Sequence, residues 1–265
     1  MKKILSFIVL IIMTIFILDC SLVNANDLEE NGLKISREVK KRDTGWGANG
    51  AEILMLLRNR QGQESVRELR IKSIEQLNDG DKNLIVFDKP KDIKGTAFLS
   101  FSHSVGADDQ WLYLPALKRV KRIDSRNKSG PFMGSEFAFE DLNSFEIEKY
   151  TYKYIKEEII DDKNHFVIEQ YPVDENSGYT RRVVWVDGME YRFKKIDFYD
   201  RKNTLLKTLT FNDYQMYAGK YWRADEMMML NHQNGKTTRL KWSNYDFNIA
   251  LNDKDFNKNS LKRIR

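Results

Sequence analysis

The sequence predicts a mostly β protein of the α+β kind, built on one large antiparallel sheet that is strongly curved or partly closed. Three observations carry that expectation. Thirteen short segments with strand texture follow one another from Ala51 to Phe247, separated by turn chemistry. No helical pattern of a dozen residues stands between any two of them, so parallel crossovers are not expected. One amphipathic helical stretch precedes them all.

The first segment reads as an address. Lys2 and Lys3 form a positive region, Ile4 to Leu18 is almost entirely apolar, and Val23-Asn24-Ala25 supplies small residues before Asn26. This is the layout of a cleaved secretory signal over residues 1–25, leaving residues 26–265 as a single mature domain. The apolar run is shorter than the ~20 residues a spanning helix needs. Lipid anchoring at Cys20 is the weaker alternative, because Asp19 stands where a lipidation signal places a small residue.

Asp27 to Arg42 carries Leu28, Ile35 and Val39 at helical spacing, with charges on the other face. Gly32 is expected to weaken this helix by about 1 kcal/mol relative to Ala. Asp43-Thr44-Gly45-Trp46-Gly47 ends it. Ala51–Arg58 and Glu64–Ile74 flank Asn59 to Gln63 as a hairpin, and Leu69, Ile71 and Ser73 alternate with Arg70 and Lys72. The next strands are Leu84–Phe87, Ala97–Phe101, Gln110–Leu114 and Val120–Ile123. After an irregular or partly helical stretch from Phe132 to Leu142 come Thr151–Ile155, Phe166–Val173, Thr180–Val186 and Tyr191–Tyr199. Leu205–Tyr217, Tyr221–Asn231 and Thr237–Phe247 complete the set. Asn78-Asp79-Gly80, Asp187-Gly188, Ala218-Gly219 and Asn234-Gly235 supply turns. Asn-Gly is the strongest, because its residues tolerate the positive φ of a tight hairpin.

Composition narrows the chemistry. A 41% hydrophobic and 12% aromatic content in 265 residues supports a folded core. A single cysteine excludes an intrachain disulfide and a Cys-based zinc site. The formal charge of +5 sets 44 bases against 39 acids, too mixed for a nucleic-acid footprint. His103, His165 and His232 lie far apart in sequence. His165 and Glu169 share a strand face but stand about 13 Å apart, so no metal spacing exists. There is no Gly-x-Ser-x-Gly elbow and no phosphate loop. Met133-Gly134-Ser135-Glu136 reads as turn chemistry. Asp108-Asp109 and Asp161-Asp162 point to opposite strand faces and read as solvated charges. Neither an enzyme nor a cofactor is expected.

Two features remain. Lys118-Arg119-Val120-Lys121-Arg122, just after the alternating Trp111 and Tyr113, reads either as a solvated edge strand or as a contact to anionic headgroups or an acidic partner. Ile53 to Leu57 and Met227 to Leu230 are apolar without alternation. Leu54, Met55, Leu56, Met227, Met228 and Met229 are therefore expected either in ordinary core or lining an apolar cavity, where flexible methionine suits variable acyl chains.

The run Trp111-Leu-Tyr-Leu-Pro-Ala-Leu-Lys-Arg-Val-Lys-Arg-Ile123 resembles the outer-membrane lipoprotein-sorting protein family, LolA-like in fold. So do Asn127 to Gly130, Phe132 to Phe137, Phe139 to Leu142, Asp43-Thr44-Gly45 and the Ala51–Glu75 hairpin. The resemblance spans roughly residues 30 to 250. It implies an open half-barrel with an N-terminal helix and a short helical lid over the concave face. It implies a periplasmic, non-enzymatic carrier that holds acyl chains of lipoproteins or lipids in transit toward the outer membrane, with transient membrane proximity. The Trp-x-Tyr-x-Pro stretch resembles a branch associated with RND-type inner-membrane exporters. Trp111, Tyr113, Pro115, Arg119, Arg122, Phe132, Met133 and Asp141 are the implied cargo or partner contacts. A non-shuttling sensor or docking module of an exporter complex is the alternative use of the same fold.

Overall fold

The computed structural model describes residues 25–264. Residues 1–24 of the expected signal segment, Cys20 among them, lie outside the described residues. The chain opens with helix α1 (Ala25–Arg42). Ile35 and Val39 are buried on its inner face, with Gly32 and Ser36 beside them. The helix lies against β7 (Tyr150–Ile160), and Gly32 sits against the backbone of Lys153 and Tyr154. A Cβ there would sit 2.9 Å from the Tyr154 nitrogen and 3.0 Å from the Lys153 carbonyl carbon. The residue that costs the helix propensity is what lets it dock.

All thirteen strands form, in one antiparallel sheet. The first arm is β1 (Ala48–Arg58), β2 (Glu64–Ile74), β3 (Lys82–Lys89), β4 (Ala97–Phe101), β5 (Asp109–Leu114) and β6 (Arg119–Ile123). The second arm starts at β7 and continues with β8 (Lys163–Pro172), β9 (Tyr179–Asp187) and β10 (Phe193–Asp200). It ends with β11 (Leu205–Tyr217), β12 (Tyr221–Asn231) and β13 (Thr237–Asp246). The spatial order is β6-β5-β4-β3-β2-β1-β13-β12-β11-β10-β9-β8-β7. Each arm is a meander of neighbours, and the arms meet only where β1 pairs with β13. β6 and β7 remain as the two free edges, so the sheet is open rather than closed into a barrel.

Curvature has identifiable causes. The β1–β13 register shifts by one residue between Gly50 and Glu52, opposite Asn244, which has φ +54°. In β11 Asp213 adopts φ +53° and is left out of the pairing, while the register with β12 is the same on either side of it. Such irregularities bend a strand and re-aim its side chains. As a result Phe211 and Tyr214, and likewise Trp242 and Tyr245, line the same cavity although strict alternation would send one of each pair outward.

The two sheet faces carry separate cores. Ile53, Met55, Leu69, Ile85, Phe87, Phe98, Leu112, Ile168, Val184, Val186, Phe198 and Leu209 belong to the inner one. On the other face Leu84, Val86, Ala97, Leu99 and Tyr113 pack under Phe256 and Leu261 from the C-terminal segment. This tail follows the last strand, with 3-10 turns at Asp253–Asp255 and Leu261–Arg263. The strands buried on both faces are therefore β3 and β4, covered by the inner core and by the tail.

Residues 124–149 run from the β6 edge to the β7 edge. They contain 3-10 turns at Ser125–Asn127, Phe132–Gly134, Phe139–Leu142 and Ile147–Lys149. Where the family resemblance implies a short helical lid, the chain places a run of 3-10 turns together with α1. Phe132 and Phe137 from this crossing are buried in the inner core.

Candidate functional site: a lidded apolar cavity

Between the inner sheet face, α1 and the crossing lies a cavity of 480 Å³, within the ~300–1,000 Å³ typical of small-molecule sites. Its apolar walls come from both arms: Ile53, Met55, Leu69, Ile71 and Ile85 on one side, Ile196, Phe198, Leu209, Phe211, Met227 and Leu240 on the other. Val39 of α1 and Phe132, Phe137, Leu142 and Phe145 of the crossing cover part of it, leaving it open to the outside.

The crossing is anchored by aromatic packing and by one buried ion pair. Phe132 stacks at 5.2 Å from Phe98, 5.8 Å from Phe87 and 5.6 Å from Phe139, distances at which edge and tilted ring pairs attract. Met133 adopts φ +50°, and its carbonyl accepts from Arg67 at 2.5 Å. Asp141 accepts from Lys207 at 2.6 Å, from the Tyr179 hydroxyl at 2.7 Å and from the Ala138 N–H at 2.6 Å. Both Asp141 and Lys207 side chains are about 4% exposed. A buried charge pair is tolerated when its remaining hydrogen-bonding capacity is used. Here Lys207 also donates to the Glu136 carbonyl. The pair ties the crossing to β11.

A second junction ties the crossing to α1. Lys40 meets Glu146 at 2.9 Å, the Ser144 hydroxyl donates to Glu146 at 2.7 Å, and the Asp81 N–H donates to Ser144 at 3.3 Å. Burial pushes the Asp81 carboxyl up to about 7, with Lys40 opposing and Glu146 and Glu75 reinforcing the shift. Burial likewise raises Glu140, aided by the neighbouring Asp141. The Glu140 oxygens accept from the Gly178 N–H and the Ser177 hydroxyl.

The residues singled out from sequence separate by face. Phe132 and Asp141 reach the cavity, and Met133 packs on the inner core. Trp111 and Tyr113 point the other way from Leu112 and pack in the outer core under the tail. Trp111 lies 5.1 Å from Phe101, with the Lys258 ammonium 5.8 Å above its ring. Pro115 starts a 3-10 turn beside Gly95. Arg119 is exposed on β6, and Arg122 is exposed and pairs with Asp109 across the strands at 2.5 Å. Met55 and Met227 line the cavity, and Met229 is fully buried in the inner core. Leu54, Leu56 and Met228 fall on the opposite face, as alternation requires. Met228 there meets Arg239 through its sulfur.

Sequence reasoning missed Lys207, Tyr179 and Arg182. The available signal was phase. Lys207 sits in step with Leu209 and Phe211, and Arg182 in step with Val184 and Val186, so each is a lone charge on an inward apolar stripe. Among the described residues no three His, Cys, Asp or Glu side chains group to hold a metal ion. Nor is any described helix long and apolar enough to cross a membrane.

A family profile described as "-like: Uncharacterized protein" matches residues 79–263. Among solved structures the chain is similar to a provisionally assigned outer membrane lipoprotein-sorting protein domain from Vibrio parahaemolyticus, with 59% identity and TM-score 0.87 over 89% of this chain and 100% of that one. It is similar to a DUF1329 family protein from Desulfovibrio piger, with 29% identity and TM-score 0.83 over 88% of this chain and 99% of that one. A LolA superfamily protein from Nitrosomonas europaea shares the fold at 20% identity and TM-score 0.70, over 86% of this chain and 98% of that one. No curated protein matches.

Proposed function

Given that the chain belongs to the outer membrane lipoprotein-sorting protein family and shares the LolA-like fold, we propose that it is a periplasmic carrier of acylated cargo. It takes acyl chains of lipoproteins or lipids into the lidded cavity and releases them toward the outer membrane. The observation that carries this reading is the cavity itself: 480 Å³ of largely apolar space, framed by an open sheet and covered by a segment that belongs to neither arm. Each methylene withdrawn from water is worth about 0.8 kcal/mol, so an acyl chain crosses an aqueous space only inside such a shelter. Release needs no covalent step, only an acceptor with higher affinity for the chain, which fits a non-enzymatic role. Partnership with an RND-type exporter rests on the Trp111, Tyr113 and Pro115 stretch alone. That stretch lies on the outer face with Tyr113 buried and Trp111 half-buried under the tail, so docking through it requires the tail to be displaced.

The test is direct. The full chain, expressed with its own first segment and purified without detergent, is extracted and its lipids identified by mass spectrometry. A stoichiometric acylated species is the expected result and names the cargo class. An empty protein that also fails to take up acyl probes would replace the carrier reading with the docking-module one.

A further inference from the structure

The cavity wall contains five cations, and four are already matched. Lys40 pairs with Glu146 at 2.9 Å, Lys128 with Asp174 at 2.6 Å, Lys149 with Asp108 at 2.5 Å, and Arg223 with Asp43. Arg182 is different. Among the described residues no carboxylate closes on it. Its guanidinium donates to the neutral side chain of Gln170 and lies 4.0 Å from the Tyr150 ring centroid, while its Nε is buried without any acceptor. The acids of that region are occupied: Asp141 by Lys207 and Tyr179, Glu140 by Gly178 and Ser177.

A charge held on the apolar inner stripe of β9 without a counter-ion is costly. The fold maintains it next to the empty space, with the guanidinium oriented by Gln170 and Tyr150. A guanidinium fork is the side chain best matched to a carboxylate or phosphate, which it meets through two parallel hydrogen bonds. Building on the carrier reading, we infer that Arg182 is the headgroup site of the cavity and that the preferred cargo is an anionic amphiphile. A carboxylate or phosphate rests on Arg182, and the tail runs along Phe198, Leu209, Phe211 and Met227. An uncharged acyl-glycerol head can accept hydrogen bonds from the guanidinium but offers it no counter-charge, so it gains less than an anion does.

The experiment uses the full chain, stripped of endogenous lipid and loaded with the neutral fluorophore N-phenyl-1-naphthylamine. Dodecanoate, dodecyl phosphate and dodecanol then compete for the site, so that tail length is constant and only the head differs. The expected result is displacement by at least one of the two anions at about tenfold lower concentration than dodecanol, the least that a charge-assisted hydrogen bond provides. Which anion wins separates a free-acid source from a phospholipid-like one. Arg182→Gln should bring the anions to the dodecanol level and leave dodecanol unchanged, while Arg182→Lys should retain part of the preference. Equal displacement by all three in the native protein overturns the headgroup site and leaves the carrier reading standing. So does an undiminished anion preference in Arg182→Gln. Failure of the native protein to bind the fluorophore or any competitor removes the carrier reading, and this inference with it. If Arg182→Gln does not fold, the native head-group comparison and Arg182→Lys still decide.

Discussion

Gly32 sets two effects against each other. Replacing it with Ala recovers about 1 kcal/mol of helix propensity. The added Cβ must then find room 2.9 Å from a strand backbone that cannot step aside, and overpacking of this kind costs about 1–3 kcal/mol. The contact wins, so Gly32→Ala is expected to lower the urea midpoint without changing the slope of the transition. The Asp141–Lys207 pair makes a second residue-scale prediction. Lys207→Met leaves a buried carboxylate without its cation and should cost about 3–5 kcal/mol by equilibrium denaturation. Adding Asp141→Asn removes that charge while keeping a partner for Tyr179, and should restore a large part of the loss. A strictly additive double variant would show that the two groups do not depend on each other.

At the scale of elements, the tail is a clasp on the outer face of β3 to β5. Phe256 is 3% exposed and Leu261 1%, packed over Leu84, Leu99 and Tyr113. Phe256→Ala should cost about 3–5 kcal/mol, read as a lower thermal midpoint, while uptake of a neutral acyl probe at low temperature stays intact because the cavity lies on the other face. Four strands were legible in the sequence to the residue, Glu64–Ile74, Ala97–Phe101, Leu205–Tyr217 and Tyr221–Asn231, while β7 runs Tyr150–Ile160 where only Thr151–Ile155 was expected. Their legibility rests on alternation and turn residues, which are local. The tail was not legible, because Phe256 and Leu261 stand in a polar stretch with no period, and only the third dimension supplies their partners. The apolar runs misled for a related reason. Leu54, Leu56 and Met228 look like their neighbours in sequence, but a strand sends each to the opposite face. The charges that hold the crossing or face the cavity, Lys207 and Arg182, could have been found by phase within their own strands. Their partners could not, since Asp141 lies 66 residues from Lys207.

For the molecule as a whole, α1, the crossing and the sheet meet at Lys40, Glu146, Ser144 and Asp81. The Asp81 carboxyl ordinarily titrates at 3.8 and is raised to about 7 in the folded protein, by burial first and by Glu146 and Glu75 after it, against Lys40. The folded state therefore holds this proton more tightly than the unfolded one, and the contribution of Asp81 to stability falls as pH rises from 3.8 to about 7. Asp81→Asn should consequently be more stable than the native chain at pH 8 and lose that advantage near pH 4. The gain corresponds to about 2–4 °C in thermal midpoint for each kcal/mol. Midpoints that differ equally at both pH values would remove Asp81 from the titration.

The seam between β1 and β13 also governs when the cavity can exist. Each arm is a run of neighbouring hairpins whose pairings are local, whereas the seam joins Glu52 to Ser243, near the two ends of the described chain. Non-local pairings bear the largest loop-closure entropy and form late. During synthesis the two meanders can assemble while the shelter between them is still unbuilt, because one of its walls, with Leu240 and Trp242, arrives in the final strand. On the carrier reading proposed above, loading is thereby subordinated to completion: a nascent chain without its last strand lacks a wall of the space that would take up a lipid.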